Sequence, residues 1–198
     1  MAWLCSGNNN EELVNKMREA GLIESDVVAG AMRLVDRANY VRSTRYAYED
    51  APQSIGHGAT ISAPHMHAHA CQYLLPWIHS DAHILDVGSG SGYTAAVFHY
   101  LIKSASASNG ESATSAPSSV SPGKVVGIDH IPALVDWSVD NLKRDGLGSA
   151  LEKGEITMIA GDGRKGWQEG APYDVIHVGA AAPEVPQPLI DMLKAPGR

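Results

Sequence analysis

A chain of 198 residues is long enough for one domain with a buried core, so we treat residues 1–198 as a single domain. Its 44% hydrophobic and 19% charged content is typical of globular proteins. The net charge of −7 argues against a nucleic-acid-binding surface or a polybasic membrane anchor. No apolar run approaches the length of a membrane span, and the start of the chain does not resemble a signal peptide. Two cysteines, Cys5 and Cys71, form no disulfide framework and favour a reducing compartment, so we expect a cytoplasmic protein.

Residues 1–80 are predicted to form helices joined by an irregular connector. Asn10 opens an amphipathic helix that stops near Gly21, and Ser25 caps a second helix with apolar residues at helical spacing. Residues 40–64 lose this periodicity and predict an extended connector, and its length suggests that it has a function. A third helix is predicted over residues 65–75, with a proline in its first turn.

Residues 81–198 alternate between strands and helices. The predicted elements are strand 83–87, helix 93–103, strand 124–128, helix 132–144, strand 155–160, strand 173–178 and helix 186–194. This rhythm predicts an α/β fold with a doubly wound, mainly parallel sheet, in which ligands bind at the carboxyl ends of the strands. Asp86, Asp129, Asp162 and Gly179 all fall at such ends.

Residues 104–123 interrupt this rhythm with serine, alanine, glycine, asparagine and proline, and they lack apolar side chains to bury. This composition predicts a disordered insertion. In nucleotide-binding folds an acid that binds the ribose lies about 20 residues beyond the glycine loop. Asp129 falls near that spacing once the insertion is discounted.

The most informative motif is the segment from Asp86 to Gly92, where an apolar strand runs into glycines at alternate positions. Glycine lets the backbone turn tightly and approach a ligand, and the following helix presents unpaired N–H groups. The dinucleotide fingerprint requires a third glycine where this chain has Tyr93, which argues against a nicotinamide dehydrogenase. The motif favours a cradle for S-adenosylmethionine over one for a pyrophosphate. A flexible turn in an unrelated α/β protein is the alternative.

Two further acids are candidate cofactor contacts. Asp129 can accept hydrogen bonds from the vicinal ribose hydroxyls, or it is a solvated or helix-capping residue. Asp162 precedes Gly163 at the end of a third strand, where it can accept a hydrogen bond from an adenine amino group. Because Asp-Gly is also a common turn, the residues alone leave both interpretations of Asp162 open.

Residues 52–68 resemble the substrate-binding signature of the protein-L-isoaspartate (D-aspartate) O-methyltransferase family, and residues 60–66 carry its most specific block. The resemblance covers nearly the whole chain outside the insertion, through residues 1–3, 85–92, 126–130, 161–164 and 173–183. It implies a Rossmann-like, S-adenosylmethionine-dependent methyltransferase fold. It also implies methylation of the α-carboxylate of L-isoaspartyl and D-aspartyl residues in damaged proteins, with S-adenosyl-L-homocysteine as product. The ester would then collapse to a succinimide.

The resemblance implies that Ser62 is the catalytic-position residue, near the methyl donor and the substrate carboxylate. A carboxylate is already ionised at neutral pH, so a hydroxyl that orients it is sufficient. The alternative is an N-cap serine ahead of Pro64. The residues that the resemblance assigns to the cofactor are Ala59, Thr60, Ile61, Ser62, His67, Asp86, Gly88, Ser89, Gly90, Ser91, Asp129, His130, Asp162 and Gly163. Those that it assigns to the substrate are Ile61, Ser62, Ala63, Val178, Gly179, Ala180 and Ala181.

The small residues 178–181 leave backbone exposed for an extended peptide to pair against, or they form a tight loop into a helix. The implied partners are isoaspartyl proteins and peptides, without nucleic acid or membrane, and the protein is expected to be a monomer. No metal is expected, although four histidines lie close together in sequence. His65, His67 and His69 fan around the axis of the predicted helix, and no cysteine or carboxylate completes a ligand set with them or with His57.

The chain ends at Arg198, where the family continues with another strand and a carboxy-terminal pair. Without these strands, we expect strand 173–178 to present an open edge and Leu189, Ile190 and Leu193 to lose part of their cover. The expected result is a protein that is less stable and less active than a full-length relative. Two alternatives stand beside an isoaspartyl methyltransferase: a methyltransferase for another carboxylate, which the cofactor motifs alone allow, and a catalytically impaired binder of isoaspartyl peptides, which the missing strands suggest.

Overall fold

The computed structural model describes residues 5–108 and 122–198, so residues 1–3 and most of the predicted insertion lie outside it. The helices are α1 (Asn10–Glu19), α2 (Asp26–Leu34), α3 (Pro64–Leu74), α4 (Tyr93–Ser108), α5 (Pro132–Arg144), α6 (Gly148–Glu152) and α7 (Gln187–Asp191). The strands are β1 (Gln53–Gly56), β2 (Ala59–Ile61), β3 (His83–Val87), β4 (Lys124–Asp129), β5 (Ile156–Ala160) and β6 (Val175–Val178). None of the helices in the described ranges has the length and apolar content needed to cross a membrane.

The two amino-terminal helices begin at side-chain caps. The side chain of Asn9 accepts a hydrogen bond from the N–H of Glu12, and that of Ser25 accepts one from the N–H of Val28. The prediction that Ser25 caps the second helix is therefore confirmed. Apolar side chains of both helices enter the larger of two hydrophobic clusters, together with side chains of α3, α4 and α5.

Residues 40–64 are more regular than their sequence pattern predicts. β1 and β2 pair as an antiparallel hairpin, and its turn contains Gly56, His57 and Gly58 with φ of 90°, 55° and 74°. The two glycines tolerate this left-handed backbone, whereas His57 carries a Cβ that makes it costly. The hairpin escapes prediction because strands of four and three residues are too short to show alternation.

α4 continues five residues beyond its predicted end at residue 103. The prediction of disorder is therefore wrong for residues 104–108, and residues 109–121 of the insertion lie outside the described ranges. Alanine is the strongest helix former, and extending an existing helix is easier than starting one. Alternating serine and alanine after residue 103 can thus continue the helix despite their low hydrophobicity.

Four parallel strands form the main sheet in the order β5-β4-β3-β6. The chain runs outward from β3 through β4 to β5 and then returns to the opposite side of β3 as β6. The prediction of a doubly wound parallel sheet is confirmed. Strand order reverses between β3 and β6, and the carboxyl ends of these two strands flank the crevice where such folds bind ligands.

The two faces of this sheet are covered unequally. Ile84 of β3 joins the larger hydrophobic cluster, which includes side chains from α1 to α5. Its neighbours Leu85 and Val87 point to the other face and join a smaller cluster that includes Leu189 and Met192. The face of the sheet that carries Ile84 therefore packs against more of the protein than the face that carries Leu85 and Val87.

The carboxy-terminal residues 192–198 bond to residues 173–176, at the start of β6 on its outer side. The N–H of Ile176 donates to the carbonyl of Arg198 at 2.8 Å. The expectation of an open edge is therefore wrong as far as Ile176, because the last residues turn back and bond to it. Leu189 is buried, against expectation, whereas Ile190 is exposed as expected.

Candidate active site

The glycine loop after β3 lies against the loop after β6. Gly88 has φ of 76°, and a Cβ built there would lie 2.9 Å from the Cβ of Ala180. Its N–H donates to the carbonyl of Ile128 at 2.8 Å, which ties the loop to β4. Glycine alone meets both the positive φ and the close approach, so the two loops form a continuous floor at the end of the sheet.

Asp129 closes β4 and fastens the glycine loop from the side. One carboxylate oxygen accepts a hydrogen bond from the N–H of Gly90 at 3.0 Å, and the other accepts one from the N–H of Ile131 at 3.0 Å. The side chain is buried, and it lines a cavity of about 430 Å³ together with His57 and His130. Because each oxygen has a second lone pair, the carboxylate can still accept donors from a ligand.

Asp162 lines a neighbouring cavity of about 630 Å³ that also contains Gly163 and His130. The guanidinium of Arg164 donates to its two carboxylate oxygens at 2.9 and 2.8 Å, and the Arg164 N–H donates at 3.1 Å. These hydrogen bonds lower the pKa of Asp162 to about 2, so the carboxylate is ionised at neutral pH. Asp162 thus stabilises a turn, as one interpretation of the sequence held, and also faces a cavity.

Ser62 lies between the hairpin and α3, and it lines a third cavity of about 410 Å³. The alternative that Ser62 caps α3 is wrong, because Ala63 occupies the N-cap position and no side-chain cap bond forms. Residues 88–91 and 178–181 line the same cavity. The structure thus brings together the predicted catalytic residue, the glycine loop and the predicted substrate loop.

A buried arginine that sequence reasoning missed holds the backbone of Ser62. Nη2 of Arg37 donates to the Ser62 carbonyl at 2.8 Å, and the Arg37 side chain is fully buried. Burial lowers the pKa of this guanidinium to about 10, so it remains charged at neutral pH. It also lies 5.6 Å from the ring centroid of Tyr93, the first residue of α4. No sequence signal marks Arg37, because most arginines at a helix end are solvated.

Three of the seven buried side-chain atoms that lack a hydrogen-bond partner among the described residues lie at or beside the third cavity. Oγ of Ser89 and Nδ1 of His67 belong to residues that line it, and Oδ2 of Asp86 lies behind the lining residue His177. Burial lowers the pKa of His67 well below its usual value, so its imidazole is neutral. Unpartnered buried polar atoms are costly unless a ligand satisfies them, so the cavity is suited to a polar ligand.

The first Asp86 carboxylate oxygen does have a partner. Oδ1 lies 2.7 Å from Nδ1 of His177 on the adjacent strand, and His177 lines the third cavity. Burial alone lowers the pKa of His177, but the hydrogen bond and the charge of Asp86 outweigh burial and raise that pKa above its usual value. Asp86 therefore acts on the cavity through His177.

The three cavities adjoin, since Gly88 and Ala180 line all of them. His67 and Ser89, each with an unpartnered buried atom, line the cavity of about 410 Å³, Asp129 lines those of about 430 and 630 Å³, and Asp162 lines that of about 630 Å³. S-Adenosylmethionine presents an amino-acid group, ribose hydroxyls and an adenine in that order. The residues present therefore fit this cofactor.

Most of the predicted site residues line these cavities. The predicted cofactor residues that do so are Ala59, Thr60, Ile61, Ser62, His67, Gly88, Ser89, Gly90, Ser91, Asp129, His130, Asp162 and Gly163. Ala63, predicted to contact the substrate, is instead buried at the start of α3 and is not among the lining residues. His65 pairs with the buried Asp50, with 2.7 Å between Nδ1 and Oδ1. Within residues 5–108 and 122–198, no group of three or more histidine, cysteine or acidic side chains is arranged to hold a metal ion.

Comparison with known proteins places this site in a family context. The chain matches the family model described as Protein-L-isoaspartate(D-aspartate) O-methyltransferase (PCMT) over residues 8–198. It is 46% identical over 186 residues to protein-L-isoaspartate O-methyltransferase 2 of Arabidopsis thaliana, and the aligned region covers 94% of this chain and 55% of that relative. It is 42% identical over 198 residues to protein-L-isoaspartate O-methyltransferase of Caenorhabditis elegans, and the aligned region covers 100% of this chain and 79% of that relative. The chain thus spans little more than half the length of the plant relative.

The fold is similar to a crystal structure of a PCMT protein from Plasmodium falciparum in complex with S-adenosyl-L-homocysteine. The TM-score is 0.80 at 32% sequence identity, and the match covers 95% of this chain and 81% of the Plasmodium chain. The family match extends over nearly all of the sequence, including every element that forms the three cavities. The chain therefore belongs to the protein-L-isoaspartate (D-aspartate) O-methyltransferase family.

Proposed function

We propose that the protein transfers a methyl group from S-adenosyl-L-methionine to the α-carboxylate of L-isoaspartyl and D-aspartyl residues in damaged proteins and peptides. The cavity of about 410 Å³ carries this proposal, because Ser62, the glycine loop and residues 178–181 all line it. Membership of the family supports both the substrate class and the cofactor. S-Adenosyl-L-homocysteine and a methyl ester are the products, and the ester collapses to a succinimide that can reopen to aspartate.

When bound, the cofactor supplies a methyl group activated by its sulfonium. Asp129 would accept hydrogen bonds from the ribose hydroxyls, and Asp162 would accept one from the adenine amino group. Ser89 and His67, each with an unpartnered buried atom, would hold the amino-acid end. Each assignment pairs a part of the cofactor with the cavity that the named residue lines.

The substrate carboxylate requires no deprotonation at neutral pH, so positioning and exclusion of water supply the catalysis. The Ser62 hydroxyl donates a hydrogen bond to one carboxylate oxygen and leaves the other to attack the methyl group. Arg37 fixes the backbone of Ser62 by donating a hydrogen bond to its carbonyl. The small side chains of residues 178–181 leave main-chain groups for an extended peptide to pair against.

The proposal includes a monomeric, cytoplasmic protein that acts on polypeptides rather than on nucleic acid or membranes. The net charge of −7 disfavours binding to polyanions. Both cysteines are free and buried, as suits a reducing compartment. Sedimentation of the purified protein tests the monomer directly, because a dimer would double the measured mass.

A methylation assay with paired isoaspartyl and aspartyl peptides tests the function. We expect methyl transfer to the isoaspartyl peptide alone, and a kcat about a hundredfold lower for Ser62→Ala, since it loses one positioned donor. Ser54→Ala, at an exposed serine on strand β1 of the adjoining hairpin, is the matched control and should retain full activity. Equal methylation of both peptides would indicate a methyltransferase for another carboxylate. Binding of the isoaspartyl peptide without turnover would indicate the impaired binder.

A further inference from the structure

His177 and Asp86 form a pair at the point where strand order reverses. They lie opposite each other in the register of β6 and β3, with 2.7 Å between Nδ1 and Oδ1. The Asp86 side chain is 1% exposed, and its second oxygen has no partner among the described residues. A buried carboxylate of this kind requires a compensating positive charge, and His177 is the group in contact with it.

The imidazole of His177 is fixed in orientation. Its ring lies edge-on to Phe98, with centroids 5.7 Å apart and planes at 71°. On the side of the following loop, a Cβ built at Gly179 would lie 3.4 Å from its Cε1. Nδ1 is occupied by Asp86, and no hydrogen bond to Nε2 is found within the described residues. Nε2 is therefore the ring atom available to a ligand, and the ring lines the same cavity as Ser62.

The other titratable groups around His177 do not supply a second charge that would act on its imidazole. His67 on α3 is held neutral by burial. Burial raises the pKa of Cys71 to about 12, so its thiol is also neutral at pH 7. His69 lines a separate, smaller cavity on the far side of His177 and is exposed. Asp86 is thus the charged partner in direct contact, and it favours the imidazolium form of His177.

We propose that His177, positioned and charged by Asp86, binds the α-carboxylate of the isoaspartyl substrate through Nε2–H, opposite the Ser62 hydroxyl. The inference rests on the proposed function. An imidazolium can donate from both ring nitrogens, to Asp86 and to the substrate. A neutral imidazole that donates Nδ1–H to Asp86 presents only a lone pair at Nε2, which repels a carboxylate. Substrate binding therefore depends on the proton at Nε2 of His177, which is present when Asp86 stabilises the imidazolium.

Binding of an isoaspartyl peptide to the protein saturated with S-adenosyl-L-homocysteine tests the proposal without turnover. We expect His177→Gln to raise the peptide Kd at least about tenfold, the loss of one charge-assisted hydrogen bond. The Kd for S-adenosyl-L-homocysteine should stay within about twofold of the wild-type value. His69→Gln, exposed on α3, is the matched control and should change neither constant.

The pH profile separates this role from a purely structural one. In the wild type, the peptide Kd should rise as the pH rises through the pKa of His177, and the profile of His177→Gln should be flat. Asp86→Asn should move the rise to lower pH, because it removes the charge that raises this pKa. The wild-type profile carries the test alone if a variant does not fold. An unchanged peptide Kd in His177→Gln, or an equal loss of S-adenosyl-L-homocysteine affinity, would overturn the proposal.

Failure of the proposed function gives a different result. In that case the wild type binds isoaspartyl and aspartyl peptides equally, whatever residue stands at position 177. If instead the wild type distinguishes the two peptides and His177→Gln binds both as well as the wild type does, the function stands and the anchoring role of His177 is wrong.

Discussion

The two walls of the cleft are held in different ways. The sheet wall, residues 83–92 and 124–130, is held by the repeated hydrogen bonds of a parallel ladder. The hairpin wall, residues 53–67, has only a short ladder of its own and buries Ile55 and Ile61, and two arginine side chains add hydrogen bonds to its carbonyls. The glycine loop of the sheet wall requires a positive φ at Gly88, so we expect the sheet wall to be especially sensitive to backbone changes.

Two arginines show how the hairpin wall differs. Arg37 donates to the Ser62 carbonyl at 2.8 Å, and Arg42 donates to the Ile55 carbonyl at 2.9 Å. The Arg42 guanidinium also stacks 3.7 Å above the ring centroid of Trp137 on α5. Each arginine bonds to a different carbonyl of this wall, so the loss of one side chain removes one of its polar attachments.

The largest expected effect comes from a backbone change in the sheet wall. Gly88→Ala should destabilise the protein by more than about 2 kcal/mol and weaken S-adenosyl-L-homocysteine binding at least about tenfold. The causes are the positive φ and the 2.9 Å approach of the new Cβ to Ala180. Urea melts and calorimetry measure both effects. Gly148→Ala, where a Cβ meets open space, is the matched control, and equal behaviour of the two variants would contradict the comparison.

The next effect comes from a side-chain change behind the hairpin wall. Arg37→Met should cost about 1–3 kcal/mol of unfolding free energy, because the half-buried Ser62 carbonyl loses its donor. It should also lower kcat more than it raises the peptide KM, with partial recovery in Arg37→Lys. Arg42→Met is the control on an exposed arginine and should cost less. If Arg37→Met kept the wild-type kcat, Ser62 would not depend on this attachment.

Stability towards acid should depend on His67. Its folded-state pKa lies well below the usual value of 6.5, so the unfolded chain binds a proton that the folded chain does not. The resulting stability is complete above pH 6.5 and falls by about 1.4 kcal/mol per pH unit as the pH drops below it. Urea melts between pH 7.5 and 5.5 should show a shallower decline for His67→Gln. The same decline in both proteins would show that His67 is not buried neutral.

The smallest expected effect concerns the strained turn of the hairpin. His57 has φ of 55° between two glycines. His57→Gly should stabilise the protein by up to about 1 kcal/mol, because relief of left-handed strain exceeds the entropy cost of glycine. A thermal melt would reveal the gain. A loss of stability would mean that the His57 ring, which lines the cavity beside Asp129, contributes more packing than its backbone costs.

Sequence reasoning succeeded where the signal is local and repeated. The strands at 83–87 and 124–129 were predicted within one residue, because short apolar runs ending at an acid mark buried parallel strands. It failed at the hairpin, whose strands are too short for periodicity, and at Arg37, whose partner lies 25 residues away. It also failed at the outer edge of β6, because pairing with Arg198 leaves no trace in either segment alone.

Residue types and their spacing were enough to predict the parallel sheet, the glycine loop after β3 and the acids at its strand ends, and residues 52–68 carried the family resemblance. These features are fixed by spacing along the chain, which residue types and periodicity reveal. The folded chain was needed to reveal that Asp129 fastens the loop, that Arg37 holds Ser62 and that His177 pairs with Asp86. Such contacts join residues distant in sequence, and burial, rather than spacing, selects the partners that satisfy their charges and hydrogen bonds.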